Sequence, residues 1–373
     1  MERLAEFIGL YQFRKFLIAV IIVMFLIDVI LFFSMIVNKV YVELRQRKLK
    51  KLKEMYITSI NNKLIGADSR VKKPEKKIEF QALGDVIIDM ITSISGEMES
   101  RIKDYAMELG VDEYYKKMAL SRFWTKRIVA VEKLAYLRLP ELKRFLYFII
   151  ATYSNDNDIV ARAVLGISFI ADSEEDLSVI NQVLKDPFFR SVKFNEYIYA
   201  NVIKSFREKG TEDMLLRSLE LLMVDISTPV ELKKGIVEAC GSQVFYSAKN
   251  TIIKLYNQLK DVPELKIICI RALGRLGCMD ISSMIKNSLQ DPNWRVRATA
   301  AKNACLCPDD IIESLKKSLS DENYYVRMNA AISLSKFGER GIRALNEGMQ
   351  SDDRFAKDVS RYLLKLKEVE NRV

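Results

Sequence analysis

The chain has 373 residues, 49% of them apolar, with only seven Pro and fourteen Gly, which excludes a low-complexity chain and leaves ample material for a continuous core. It has no His, so His-based catalysis and the commonest metal ligand are excluded, and its five Cys suit reduced thiols better than a disulfide frame. The net charge of +10 is uneven: residues 1–79 hold sixteen basic and eight acidic side chains, leaving forty-three against forty-one in 80–373, and this favours a membrane surface over nucleic acid as the source of attraction.

Residues 1–15 place Leu4, Phe7, Ile8 and Tyr11 on one helical face, which fits either a segment lying in a membrane interface or a helical lead-in. Residues 16–38 follow, and the run Phe16 to Val37 has a single charge, Asp28, in twenty-two residues. That length predicts a transmembrane helix, and it is too long for a signal peptide and lacks a small-residue cleavage site. Asp28 lies midway along the span, where an Asp costs roughly 2.5–3.5 kcal/mol. A polar residue on another membrane helix, from another chain or another copy, would offset that cost.

Residues 39–65 read as a basic juxtamembrane helix with Leu49, Leu52, Tyr56 and Ile60 along one stripe. Its Arg45, Arg47, Lys48, Lys50, Lys51 and Lys53 are candidates to face anionic lipid, at about 1 kcal/mol per residue near the surface. The positive excess on this side places it in the cytoplasm and the N-terminus outside. Residues 66–79, with Gly66, Pro74 and five basic side chains, read as a linker. The remainder, 80–373, is expected to be one helical solenoid, with 80–120 as an irregular cap.

The repeat is plainest where Asp291-Pro292-Asn293-Trp294-Arg295-Val296-Arg297 aligns with Asp321-Glu322-Asn323-Tyr324-Tyr325-Val326-Arg327, thirty residues later, and Ala300-Ala301 aligns with Ala330-Ala331. Asp156 and Arg162 repeat the spacing upstream, as do Ser121 with Arg127 and Ser227 with Lys233. Each unit reads as two helices: a first helix with a period of 3.6, as in Ile311, Leu315 and Leu319, then a turn carrying the Asp, then a second helix rich in small residues. The Asp is expected to cap the second helix, and the Arg six residues on to reach the Asp of a neighbouring unit.

On these residues the chain resembles the HEAT-repeat proteins, in particular the short thirty-residue type of phycobilin-lyase subunits. The resemblance implies an all-α solenoid, a habit of binding proteins, and an Asp/Arg ladder formed by Asp291/Arg297, Asp321/Arg327 and Asp156/Arg162. It is clear from Val262 to Met349 and fair from Ser121. Two positions depart from it, since Asp261 has Ile267 and Asp352 has Asp358 where the basic residue should stand.

The candidates for chemistry are few. Gly274-Arg275-Leu276-Gly277 is read as a helix end and not a phosphate loop. Acidic pairs such as Glu174-Glu175 suit the positive ends of helix dipoles. Cys278, Cys305 and Cys307 are read as core thiols in preference to a zinc site. The aromatic residues three after each anchor, Trp124, Phe189, Trp294, Tyr324 and Phe355, are read as packing between repeats, and Phe145 to Ile150 as a buried first helix. Arg295, Lys302, Tyr325 and Lys336 are expected to project from the second helices toward a partner.

The resulting expectation is a single-pass membrane scaffold or adaptor, without cofactor or enzymatic activity, that binds an integral membrane protein and an anionic lipid surface. A glycosyltransferase that makes a bacterial exopolysaccharide is one candidate partner. The alternatives are a ligand-handling or lyase-type protein, and a nucleic-acid binder.

Overall fold

The computed structural model describes residues 2–66, 70–259, 262–277 and 281–370, and side chains within those ranges from 20 to 368 apart from Ile21. Asp261 and Cys278 therefore lie outside the described residues, as do the side chains of Leu4, Phe7, Ile8 and Tyr11. The structure is all-α, with nineteen α-helices and no strand among the described residues. It divides into two compact units, Met1–Leu120 and Ser121–Val373.

The first unit is organised by α1 (Glu2–Leu64), one unbroken helix through the segments that the sequence divides at 15 and 38. At about 1.5 Å per residue, Phe16 to Val37 extends about 33 Å along it. Every described large apolar side chain from Val20 to Val37 except the half-exposed Val29 is exposed, from 40% at Val20 to 67% at Val37. Further along, the same helix changes character. Tyr56 and Ile60 have no exposure at all, because they pack against α2 (Lys77–Ser93), whose buried face includes Leu83, Val86 and Ile87. Burial of such a side chain contributes about 1.5–3 kcal/mol. Burial also pushes the Tyr56 phenol up to about 12, with Glu79 adding to the effect.

The helices α3 (Glu97–Glu108) and α4 (Val111–Ala119) complete this unit. Gly84 on α2 lies so close to the Tyr115 ring that a Cβ there would stand 2.5 Å from its hydroxyl. Residues 80–120 thus build a core with α1 inside the first unit. The cause is the apolar stripe of α1, which needs a partner and finds it in α2. Glu79 starts α2 by accepting from the N–H groups of Glu75 and Lys76 at 2.9 and 3.1 Å. These bonds, with Lys72 beside them, hold its carboxyl at about 2.

The second unit begins with α5 (Trp124–Leu137) and continues as seven helical hairpins. The first helices are α6 (Lys143–Thr152), α8 (Glu174–Leu184), α10 (Glu212–Val224), α12 (Lys249–Gln258), α14 (Ser282–Ser288), α16 (Ile312–Ser318) and α18 (Gly338–Met349). The second helices are α7 (Asn157–Ile170), α9 (Val192–Lys209), α11 (Val230–Ser242), α13 (Pro263–Arg275), α15 (Trp294–Asn303), α17 (Tyr324–Leu334) and α19 (Arg354–Glu370). Each second helix packs on the next, from α5 to α19, and this row is the continuous spine of an α-solenoid. Small residues let the row close up. Ala300, Ala301, Ala330 and Ala331 are fully buried, and a Cβ on Gly166 would meet the Ala135 Cα of the preceding second helix at 3.0 Å.

The stretch Phe145 to Ile150 is only half buried: Leu146 and Ile149 face the core, while Phe148 is 49% exposed. The apolar run lies on an amphipathic helix with solvent on one side. Cys240 and Cys269 are fully buried and Cys307 nearly so, whereas Cys305 is half-buried. Desolvation pushes the Cys240 thiol up to about 12 and raises Cys269 as well.

Candidate partner-binding surface

The surface is built from the turns that precede α15 and α17. In the first, the Asp291 carboxylate accepts from the Asn293 N–H at 2.9 Å, and the Asn293 side chain accepts from the Arg295 N–H at 2.9 Å. The second repeats this with Asp321, Asn323 and Tyr325 at 2.8 and 3.0 Å. The N-cap is therefore Asn293 or Asn323, not the Asp two residues earlier. The Asp braces the turn and keeps an oxygen for a neighbour.

That oxygen receives the ladder. Arg297 grips Asp321 with two parallel bonds, Nε at 2.7 Å and Nη2 at 3.1 Å, and Nη2 also meets Glu322 at 3.0 Å. Such a fork is the stronger kind of charge-assisted bond, and Asp321 raises Arg297 further above its ordinary range. Arg297 also hooks back, donating from Nη1 to the carbonyls of Asp291 and Pro292 at 3.0 and 3.1 Å. Arg327 makes the same hook to the carbonyls of Asp321 and Glu322 at 2.7 and 3.0 Å, and Arg127 makes it to Ser121 and Arg122 at 3.2 Å. The spacing of six thus encodes first a hook onto the residue's own turn and only second a bond to the next unit.

The ladder departs from expectation at both ends. Lys266, five residues after Asp261 instead of six, reaches Asp291 at 2.8 Å and supplies the rung that Ile267 could not. Arg327 has no carboxylate partner among the described residues, and its guanidinium lies 4.2 Å from the Phe355 ring centre. The pair Asp156/Arg162 forms no rung. Asp156 caps α7 through the Ile159 N–H and accepts the Trp124 indole N–H at 2.8 Å, while Arg162 turns to Glu132 at 3.1 Å.

Fixing these turns directs the next residues outward. Trp294, Tyr324 and Phe355 are 37%, 54% and 51% exposed, and Trp124 is exposed too. Of the aromatic column read as packing, only Phe189 is buried. For Trp294 and Tyr324 the reason is helix phase: the residue at the first helical position faces away from the spine, whose buried position is Val296 or Val326, two residues on. Trp294 stacks on Tyr325 across the repeat boundary, with ring centres 5.8 Å apart and planes 20° apart, and Arg295 lies over Trp294 at 5.5 Å.

Arg295, Lys302, Tyr325 and Lys336 are all exposed. The stack brings Tyr325 and Arg295 together around Trp294, while Lys302 lies at the opposite end of α15 and Lys336 just beyond the end of α17. Sequence reasoning missed Trp294 and Tyr324 as surface residues, although their place directly after an Asn cap was the available signal.

On α1, Asp28 is exposed within the apolar run. Of the basic cluster, Lys53 pairs with Asp85 of α2 at 2.7 Å, Arg45 bonds Gln81 at 3.0 Å and Arg47 pairs with Glu43 at 2.7 Å. Lys48, Lys50 and Lys51 are exposed, as are Arg45 and Arg47.

A family model of HEAT repeats matches residues 282–365, which begins at α14 and ends within α19 and so takes in the whole of this surface. A comparison with curated proteins gives no match.

Proposed function

We propose that this protein is a membrane-anchored adaptor in which the α1 apolar run spans the bilayer and the HEAT repeats hold a protein partner on the cytoplasmic side. The observation that carries this reading is the contrast within α1. Its residues 20–37 leave apolar side chains unburied, and a soluble helix would not leave so long an apolar surface in water. The same helix is buried at Tyr56 and Ile60, so it continues into a folded unit. The basic excess after the span sets the cytoplasmic side. HEAT repeats are a helical scaffold for protein–protein interaction, and the surface around Trp294, Arg295 and Tyr325 is the docking site proposed here.

The partner is an integral membrane protein whose helix supplies a polar group to Asp28, and a polysaccharide-forming glycosyltransferase is one candidate. In sealed cells, external protease should leave the repeats intact and should cut them only after permeabilisation. Digestion in intact cells overturns the orientation. Asp28→Leu should insert at least as well as the parent and lose its membrane partner in mild detergent. Retained association removes Asp28 from the interface.

A further inference from the structure

We infer that the face formed by α17 and α19 takes an acidic protein segment, one of whose carboxylates pairs with Arg327 while an adjacent aromatic or aliphatic side chain enters the cavity beside it. This rests on the adaptor reading above and names the chemistry of its partner. The first observation is a missing rung. One repeat earlier, the equivalent Arg297 hooks the same two carbonyl positions and is also gripped by Asp321 and Glu322. Arg327 makes the hook alone.

The residue that should complete the rung, Asp352, is exposed, and its neighbour Asp353 is spent on capping α19 through the Ala356 N–H at 2.8 Å. The guanidinium instead stands between two rings, 4.2 Å from Phe355 and 5.9 Å from Tyr324. A planar fork presented between aromatic walls matches a carboxylate better than a point charge would.

The second observation is the space beside it. A cavity of about 310 Å³ lies against Arg327, walled by Tyr324, Met328, Phe355, Val359 and Tyr362, with Asp358 as its one acidic lining residue. Three of these walls, Tyr324, Phe355 and Tyr362, are more than half exposed. This is the composition of an anchor pocket, with aromatic walls, one cation at Arg327 and one carboxylate at Asp358.

The third is charge. The helices α15 and α17 carry Arg295, Arg297, Lys302 and Arg327 and no acidic residue. Arg297 is consumed by its own rung, while Arg295 and Lys302, with Arg354 at the start of α19, are exposed. These cations are separate points around a pocket rather than a continuous track for phosphates, and residues 80–373 as a whole hold forty-three basic against forty-one acidic residues. A protein segment fits that pattern better than a nucleic acid does.

The test pans a random-peptide phage library against the full chain in lipid nanodiscs. Enriched peptides should be acidic and carry an aromatic or long aliphatic residue. In one such synthetic peptide, changing the key Asp or Glu to its amide should weaken binding at least about tenfold. The variants Phe355→Ala and Tyr362→Ala, whose side chains are half exposed and whose melting should match the parent, should weaken it similarly. Enrichment of neutral or basic peptides, no enrichment, or binding indifferent to Phe355→Ala overturns the inference. Tighter binding of an oligothymidylate than of the acidic peptide also overturns it, in favour of a nucleic acid. If a membrane partner co-purifies with the parent and is lost with Tyr325→Ala while no acidic peptide emerges, the adaptor reading stands and only this inference falls.

Discussion

The turns before α15 and α17 and the turn before α7 carry the same pair, an Asp and an Arg six residues on, and use it differently. Before α15 and α17 the residue two past the Asp is Asn293 or Asn323, which takes over the cap. The Asp is then free to brace the turn and receive a cation from the neighbouring repeat. Before α7 that position is Asp158. Asp156 must cap the helix itself, its other oxygen is taken by the Trp124 indole, and Arg162 is left to a half-exposed pair with Glu132. A spacing is therefore not a contact. What decides the contact is which group satisfies the free N–H groups at the helix start.

The largest expected effect is at Arg297, whose side chain and that of Asp321 are each 11% exposed. Arg297→Ala removes both bonds of the fork to a nearly buried Asp321 together with the hook, and should cost about 3–5 kcal/mol, read as a lowered midpoint of denaturant unfolding of the full chain. Lys266→Met should come next. It removes one charge-assisted bond to a buried Asp291 that still accepts from Asn293, a loss of about 1.5–3 kcal/mol. Arg327→Ala loses the hook without stranding a carboxylate, so about 1–2 kcal/mol is expected. Equal losses at Arg297 and Arg327 would show that the hook, and not the rung, carries the energy.

Arg162→Ala should change the midpoint by less than about 1 kcal/mol, as exposed pairs do. A larger loss would break the comparison between the two kinds of turn.

The smallest effect is present at neutral pH and disappears in acid. Glu79 caps α2 as a carboxylate held near 2, against an ordinary 4.5. A depressed folded value means that its contribution is fully present above about 4.5 and is lost as pH falls through about 2. The parent and Glu79→Gln should therefore differ in thermal midpoint at pH 7 and converge toward pH 2. A constant difference across that range would assign the contribution to packing and not to charge.

The sequence by itself determined the period, the all-α class and the long apolar helix, because those follow from local rules. Hydrophobic spacing sets the helices, and a thirty-residue recurrence sets the hairpins. It also read Arg295, Lys302 and Tyr325 as exposed, because phase within a short helix is a local property. Tertiary structure decided what local rules cannot reach. Residues 80–120 joined α1 because Tyr56 and Ile60 needed a covering helix, and an apolar stripe does not state which neighbour will cover it. Lys266 completed a rung from the wrong spacing because a flexible stem can reach across a turn. Contacts between repeats depend on how closely two helices approach, and that distance is set by packing across the whole row.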